Sequence, residues 1–235
     1  MIGNIIFDGV NSLDYGVHVT DLDSDNAPDR IYQIEMVPGR NGHLAYDTKS
    51  FNNITVRYPA FVYDDYTANI RHYRNCLASK VGYKRLESSF YPEEFRLARY
   101  ASPMSASKTV DDYMGHFILE FDCKPQRFLK SGEVPVQFDA SGAIYNPTLF
   151  DAKPLLRVYG NGSVTINNIT ITINSSTNYV DIDCDLMDAY FGLQNMNQYI
   201  NLSSYDFPVL ASGENAIILG SGITRIILTP RWWQI

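Results

Sequence analysis

Short runs in which apolar and polar residues alternate, each closed by Gly, Pro, Asn or Asp, recur along most of this chain and restrict it to folds built from sheets. Successive side chains of a strand point to opposite faces, so alternation gives each strand one face for a core and one for water. Residues 31 to 37, IYQIEMV, set Tyr32, Ile34 and Met36 on one side and Gln33 and Glu35 on the other, the pattern of a half-buried strand. The stretch PGRNG that follows contains Asn41-Gly42, a pair that tolerates positive φ. It predicts a structural turn, of type I′ if Asn41 and Gly42 are its central residues, before a second strand begins near His43. Further on, Ile54, Val56 and Tyr58 are in phase, as are Phe117, Leu119, Phe121 and Cys123.

One segment departs from this rule. Between residues 65 and 79, Tyr66, Ile70, Tyr73 and Leu77 fall at i, i+4, i+7 and i+11, a narrow helical stripe. Asp64 or Asp65 is placed to cap its start, Gly82 lies just past its end, and Arg71 and Arg74 fall off the stripe. The reading is mainly β with one helix, the helix covering a sheet face.

A chain of 235 residues allows one large domain or two ordinary ones. Residues 124 to 135, KPQRFLKSGEVP, gather two prolines, a glycine and charge, the composition of a junction. A boundary near Gly132 gives domains 1–132 and 133–235. Beyond it come LLRVYG, SVTINNITITIN, YVDID, AIILG and ITRIILTP, separated by turn residues and free of helical pattern. Such spacing predicts a β-sandwich or jelly roll.

Composition excludes several classes. Apolar residues make up 45% and charged residues 19%, which is not the profile of a disordered chain. With 19 Lys and Arg against 26 Asp and Glu, the net charge of −7 makes duplex nucleic acid or an anionic bilayer a poor partner. No nucleic-acid binding and no membrane insertion are expected. No run approaches the ~18 to 20 apolar residues of a membrane span. The start, MIGNIIFDGVNSLDYG, lacks the basic flank and long apolar core of a signal peptide, so soluble synthesis is expected. Cys76, Cys123 and Cys184 form an odd set with no CxxC, which argues against a disulfide framework and a zinc site. The 17 Tyr and 12 Phe suit sheet surfaces and protein interfaces.

Residues that could carry chemistry do not converge in any motif. His18, His43, His72 and His116 are scattered, no nucleophile elbow or phosphate loop occurs, and Cys76 reads as a small packing residue. Asp21, Asp23 and Asp25 match the first positions of a calcium loop, but Asn26 stands where glycine is needed and Tyr32 where glutamate is needed. Asp181, Asp183 and Asp185 fail likewise at Leu186 and Gly192, and read as a solvated strand with one carboxylate edge. The sequons at Asn53, Asn161, Asn168, Asn174 and Asn201 read as turn chemistry. No cofactor is expected. The ending Pro230-Arg231-Trp232-Trp233 holds both tryptophans of the chain. Arg231, Trp232 and Trp233 form a candidate interface or ligand platform, although terminal aromatics after a strand more often close a core or bury at a subunit contact.

Seven motifs in order carry a resemblance: FDGVNSLDYGV near the start, VPGRNGHL at 37 to 44, FDCKPQRFL at 121 to 129, YNPTLFDAKPLLRVYG at 145 to 160, YVDIDCDLMDAY at 179 to 190, FPVLASGENAI at 207 to 217, and the final PRWW. Together they resemble the distal tail protein family of long, non-contractile-tailed bacteriophages over nearly the whole chain. The resemblance implies an N-terminal β-rich domain that assembles head to tail into a homohexameric ring, followed by a C-terminal galectin-like β-sandwich. It implies a structural role at the virion tail tip after synthesis in the host bacterial cytoplasm. The implied partners are the major tail tube protein on one side, the tail-associated hub protein on the other, and in some members a receptor-binding protein. No inserted segment is long enough to be an extra carbohydrate-binding module.

Two other classes compete with this scaffold. One is a carbohydrate-binding β-sandwich that recognises host cell-wall saccharide through Arg231, Trp232 and Trp233. The other is an enzyme, the weakest reading because no paired acid and base occurs in a recognisable motif, although folding can bring distant residues together.

Overall fold

The computed structural model describes residues 2–20, 26–63, 66–101, 104, 106–108 and 114–235. Among these the protein is mainly β with one α-helix. Two compact units divide the chain, Met1–Arg127 and Phe128–Gln234.

The first unit contains β1 (Ile5–Phe7), β2 (Val10–Asn11), β3 (Val17–Val19), β4 (Arg30–Glu35), β5 (Leu44–Phe51), β6 (Ile54–Tyr63), α1 (Tyr66–Ala78), β7 (Lys84–Ser88), β8 (Tyr91–Tyr100), β9 (Ala106–Lys108) and β10 (Met114–Leu129), the last running past the division. Its main sheet has the order β2-β1-β7-β8-β10-β6-β3, with β9 also on β10. Gly3, just ahead of β1, exchanges two backbone hydrogen bonds with Val19 of β3, at 2.7 and 3.0 Å. The two ends of the sheet therefore approach each other, and curling towards closure leaves less unpaired edge.

Alternation decides what this sheet encloses. Ile54, Val56 and Tyr58 of β6 and Phe117, Leu119, Phe121 and Cys123 of β10 are all buried in one cluster. The helix adds Tyr66, Ile70, Tyr73 and Leu77 to the same cluster, so the stripe read from sequence is the face that covers the sheet. Burying Ile70 and Leu77 contributes about 1.5 to 3 kcal/mol each. Arg71 is exposed, and Arg74 donates to the Met104 carbonyl at 3.1 Å. Asp64 and Asp65, the expected caps, lie outside the described residues, as do Asp21, Asp23 and Asp25.

The second unit contains β11 (Val136–Phe138), β12 (Gly142–Asn146), β13 (Leu155–Gly160), β14 (Gly162–Ile166), β15 (Ile169–Ile173), β16 (Tyr179–Asp183), β17 (Asp188–Phe191), β18 (Gln194–Asn195), β19 (Ile200–Leu202), β20 (Gly213–Leu219), β21 (Ile223–Thr229) and β22 (Trp233–Gln234). All but β22, which pairs with β10, form a six-stranded sheet, β11-β21-β13-β16-β17-β18, and a five-stranded sheet, β12-β20-β14-β15-β19. Leu156, Val158, Ile182 and Leu228 of the first sheet and Val164, Ile166, Ile171 and Ile217 of the second are buried in one cluster, which makes this unit a β-sandwich. Asn53, Asn161, Asn168 and Asn174 stand in short connections between strands, whereas Asn201 is within β19.

Candidate functional site

Two features stand out: a hairpin whose apolar residues are covered by none of the described residues, and a clasp near residue 232 that ties into the sandwich core. The hairpin is a separate two-stranded sheet, β4 paired with β5 from Arg30↔Phe51 to Glu35↔Leu44. Tyr32, Ile34 and Met36 share a phase, as read from sequence, but they are 49%, 64% and 77% exposed. The expectation of a half-buried strand is therefore corrected: the alternation is present, yet among the described residues no second layer covers it. A lone two-stranded hairpin is marginal in water, so its apolar residues are material for a contact that the described residues do not supply.

The turn also differs from the expectation. The connection spans residues 36 to 43, and Asn41 is not at positive φ, so Asn41-Gly42 is not a type I′ turn. Reversal comes earlier, where the Arg40 N–H donates to the Val37 carbonyl at 3.2 Å around Pro38-Gly39, with Gly39 at φ 81°. Proline fixes the first central φ and glycine supplies the positive second one, which is a type II turn. Gly42, at φ 80°, sits at a further bend before Leu44.

The clasp joins the end of the chain to the start of the second unit. Within it, Leu129 N–H donates to the Trp232 carbonyl and Arg231 N–H to the Gly132 carbonyl, at 2.9 and 2.7 Å. A Cβ on Gly132 would lie 2.3 Å from the Trp232 nitrogen, so only glycine permits this approach. Trp232 is buried in the sandwich core. Trp233 stacks on Phe150 with centroids 4.4 Å apart and donates its indole N–H to the Asp151 carbonyl at 2.9 Å. A buried Trp232 and a Trp233 with one face covered leave no open two-ring platform.

Arg231 adopts φ 61°, unusual for a residue with a Cβ, and its guanidinium makes two bonds to Asp183, at 2.7 and 2.8 Å. Asp183 also accepts the N–H groups of Asp185 and Leu186. Burial pushes the Asp183 carboxyl up, but Arg231 and these two backbone donors outweigh it and hold the carboxyl below its ordinary range. On the same strand Asp181 pairs bidentately with Arg157, at 2.7 and 2.9 Å, and that bond raises the Arg157 pKa. The expected solvated carboxylate edge is thus corrected: Asp181 and Asp183 are 6% and 4% exposed and matched to arginines. The sequence reading missed both partners. The clue was an Arg in LLRVYG to answer one carboxylate and an Arg in PRWW to answer the other.

Other candidates are dispersed. His18 stacks on Phe61 with centroids 5.3 Å apart, while His43 and His72 are exposed. Burial pushes the Cys123 and Cys184 thiols up to about 12, so both are protonated and unreactive at neutral pH. Among the described residues no group of three His, Cys, Asp or Glu could hold a metal ion. Among the described residues no helix is long and apolar enough to cross a membrane.

No family model and no curated protein matches the chain. Solved structures do. The crystal structure of the Dit protein of phage SPP1, described as a paradigm of the hub adsorption apparatus in phages infecting Gram-positive bacteria, matches with a TM-score of 0.72. The match covers 100% of both chains at 14% identity. This chain has the fold of Dit. Weaker matches to the same fold come from the phage P2 baseplate in its activated conformation. With Ca the TM-score is 0.52, and with Sr it is 0.50, each at 10% identity over 97% of this chain and 98% of the other. At such identities the Dit fold is retained while nearly all side chains differ, so what is common is patterning rather than any particular contact.

Proposed function

We propose that this protein is a distal tail protein of a long-tailed bacteriophage, a structural and non-enzymatic subunit of the tail tip. The observation that carries the reading is the full-length correspondence with SPP1 Dit, through both units in one chain. In this reading residues 1–132 form the ring domain and residues 133–235 the galectin-like sandwich. Six copies associate head to tail, each hairpin β4–β5 laying Tyr32, Ile34 and Met36 against the next subunit. Such a heterologous contact closes into a ring when the rotation permits. The major tail tube protein lies on one side of the ring and the tail-associated hub protein on the other, with a receptor-binding protein as a further partner. The ring is built in the host bacterial cytoplasm and resides at the virion tail tip.

Light scattering over a concentration series, with and without the tail partners, tests this. Six copies of a 26.6 kDa chain give a particle of about 160 kDa. A protein that stays monomeric throughout, including with its partners present, would overturn the ring.

A further inference from the structure

The chain contains two Asn-Gly pairs, Asn41-Gly42 and Asn161-Gly162, and the fold treats them oppositely. An Asn followed by Gly is chemically labile because nothing on the glycine Cα hinders its nitrogen from reaching the Asn side-chain carbonyl carbon. Closure requires the intervening backbone to rotate, so a rigid setting suppresses it.

Asn161 is held. Its Oδ1 accepts the Ser175 N–H at 2.8 Å, Gly162 is registered against Ile173 in the β14–β15 ladder, and the Asn161 carbonyl packs so closely on Gly222 that a Cβ there would lie 2.0 Å away. Asn41 is not. It lies in the exposed connection between β4 and β5, nothing stands within 4 Å of where a Gly42 Cβ would be, and neither its amide nor the Gly42 N–H has a partner among the described residues.

We propose that Asn41 is a site of spontaneous deamidation in the folded protein and that Asn161 is protected. The Gly42 nitrogen gives up its proton and bonds to the Asn41 side-chain carbonyl carbon. The bond from that carbon to Nδ2 then breaks, and ammonia leaves with a proton. Water opens the resulting succinimide at either carbonyl to give aspartate or isoaspartate. Each event adds one negative charge to the hairpin loop, and the inference does not depend on ring assembly.

The test is peptide mapping by mass spectrometry after incubation of the native protein in mildly alkaline buffer, with a urea-unfolded sample alongside. Monomer and any oligomer are separated before digestion. In native monomer the Asn41 peptide gains about one mass unit per event and scores for isoaspartate, while the Asn161 peptide does not. In urea both peptides convert. Equal conversion of the two in native monomer, or an intact Asn41 over the time in which the unfolded chain converts, would overturn the proposal. Protection of Asn41 confined to the oligomer would support the ring reading and leave this inference standing.

Discussion

Asp183 and Arg231 make the sharpest energetic test. Asp183→Ala removes a carboxylate whose side chain is 5% exposed and leaves a guanidinium that is 29% exposed. Breaking a buried ion pair by removing one partner costs about 3 to 5 kcal/mol. Here water can still reach part of Arg231, and Asp185 and Leu186, which lose an acceptor, are exposed. The lower end, about 3 kcal/mol, is therefore expected. Arg231→Ala strands the more deeply buried carboxylate and keeps a Cβ at φ 61°. It should cost about 3 to 5 kcal/mol, and Arg231→Gly about 1 kcal/mol less because glycine adopts that φ freely. The assay is urea unfolding followed by tryptophan emission, which reports the second unit alone because Trp232 and Trp233 are the only tryptophans. The pH dependence has a fixed sign. The Asp183 carboxyl is depressed in the fold, so its contribution is complete above the ordinary carboxylate range and fades as pH falls through the folded value. The deficit of Asp183→Ala should shrink on acidification. A cost below about 0.5 kcal/mol at neutral pH, within the scatter of ordinary surface substitutions, would refute the argument.

Ile34→Asp should leave the melting of both units unchanged, since Ile34 is 64% exposed, yet abolish the large species in light scattering. Gly132→Ala should lower second-unit stability by about 1 to 3 kcal/mol in urea titration, because its Cβ meets the Trp232 backbone. Gly39→Val should strain the type II turn by about 1 to 3 kcal/mol and speed amide exchange in β4 and β5, with no change in tryptophan-detected unfolding. Trp232→Ala should destabilise the sandwich by about 3 to 5 kcal/mol, and a glycan array with the parent protein should come back blank.

What the sequence conveyed follows from which interactions are periodic. Phe117, Leu119, Phe121 and Cys123, and the helical stripe Tyr66, Ile70, Tyr73 and Leu77, announce their buried face because each element sets its own repeat. Tyr32 and Ile34 carry the same repeat but are exposed, since alternation reports that a face is apolar and not what covers it. The reversal moved from Asn41-Gly42 to Pro38-Gly39 because both pairs are good turn formers and only the register Glu35↔Leu44 fixes the loop length. Arg231 with Asp183 is 48 residues apart in sequence, and no local pattern links them.

The topology also orders events in time. The hairpin β4–β5 closes through residues 36 to 43, a local step of about 1 to 10 μs for a β-hairpin. The sandwich must instead bring Val136 to Leu228 and Leu156 to the same residue, long loops whose closure is slow. Each newly made chain therefore samples this marginal hairpin, with Tyr32 and Ile34 on β4 and Met36 in the connection beside it, while the rest is still searching. Those residues are as able to join two unfinished chains as two finished ones. Yield on expression should accordingly be limited by aggregation during folding, and should rise at low chain concentration.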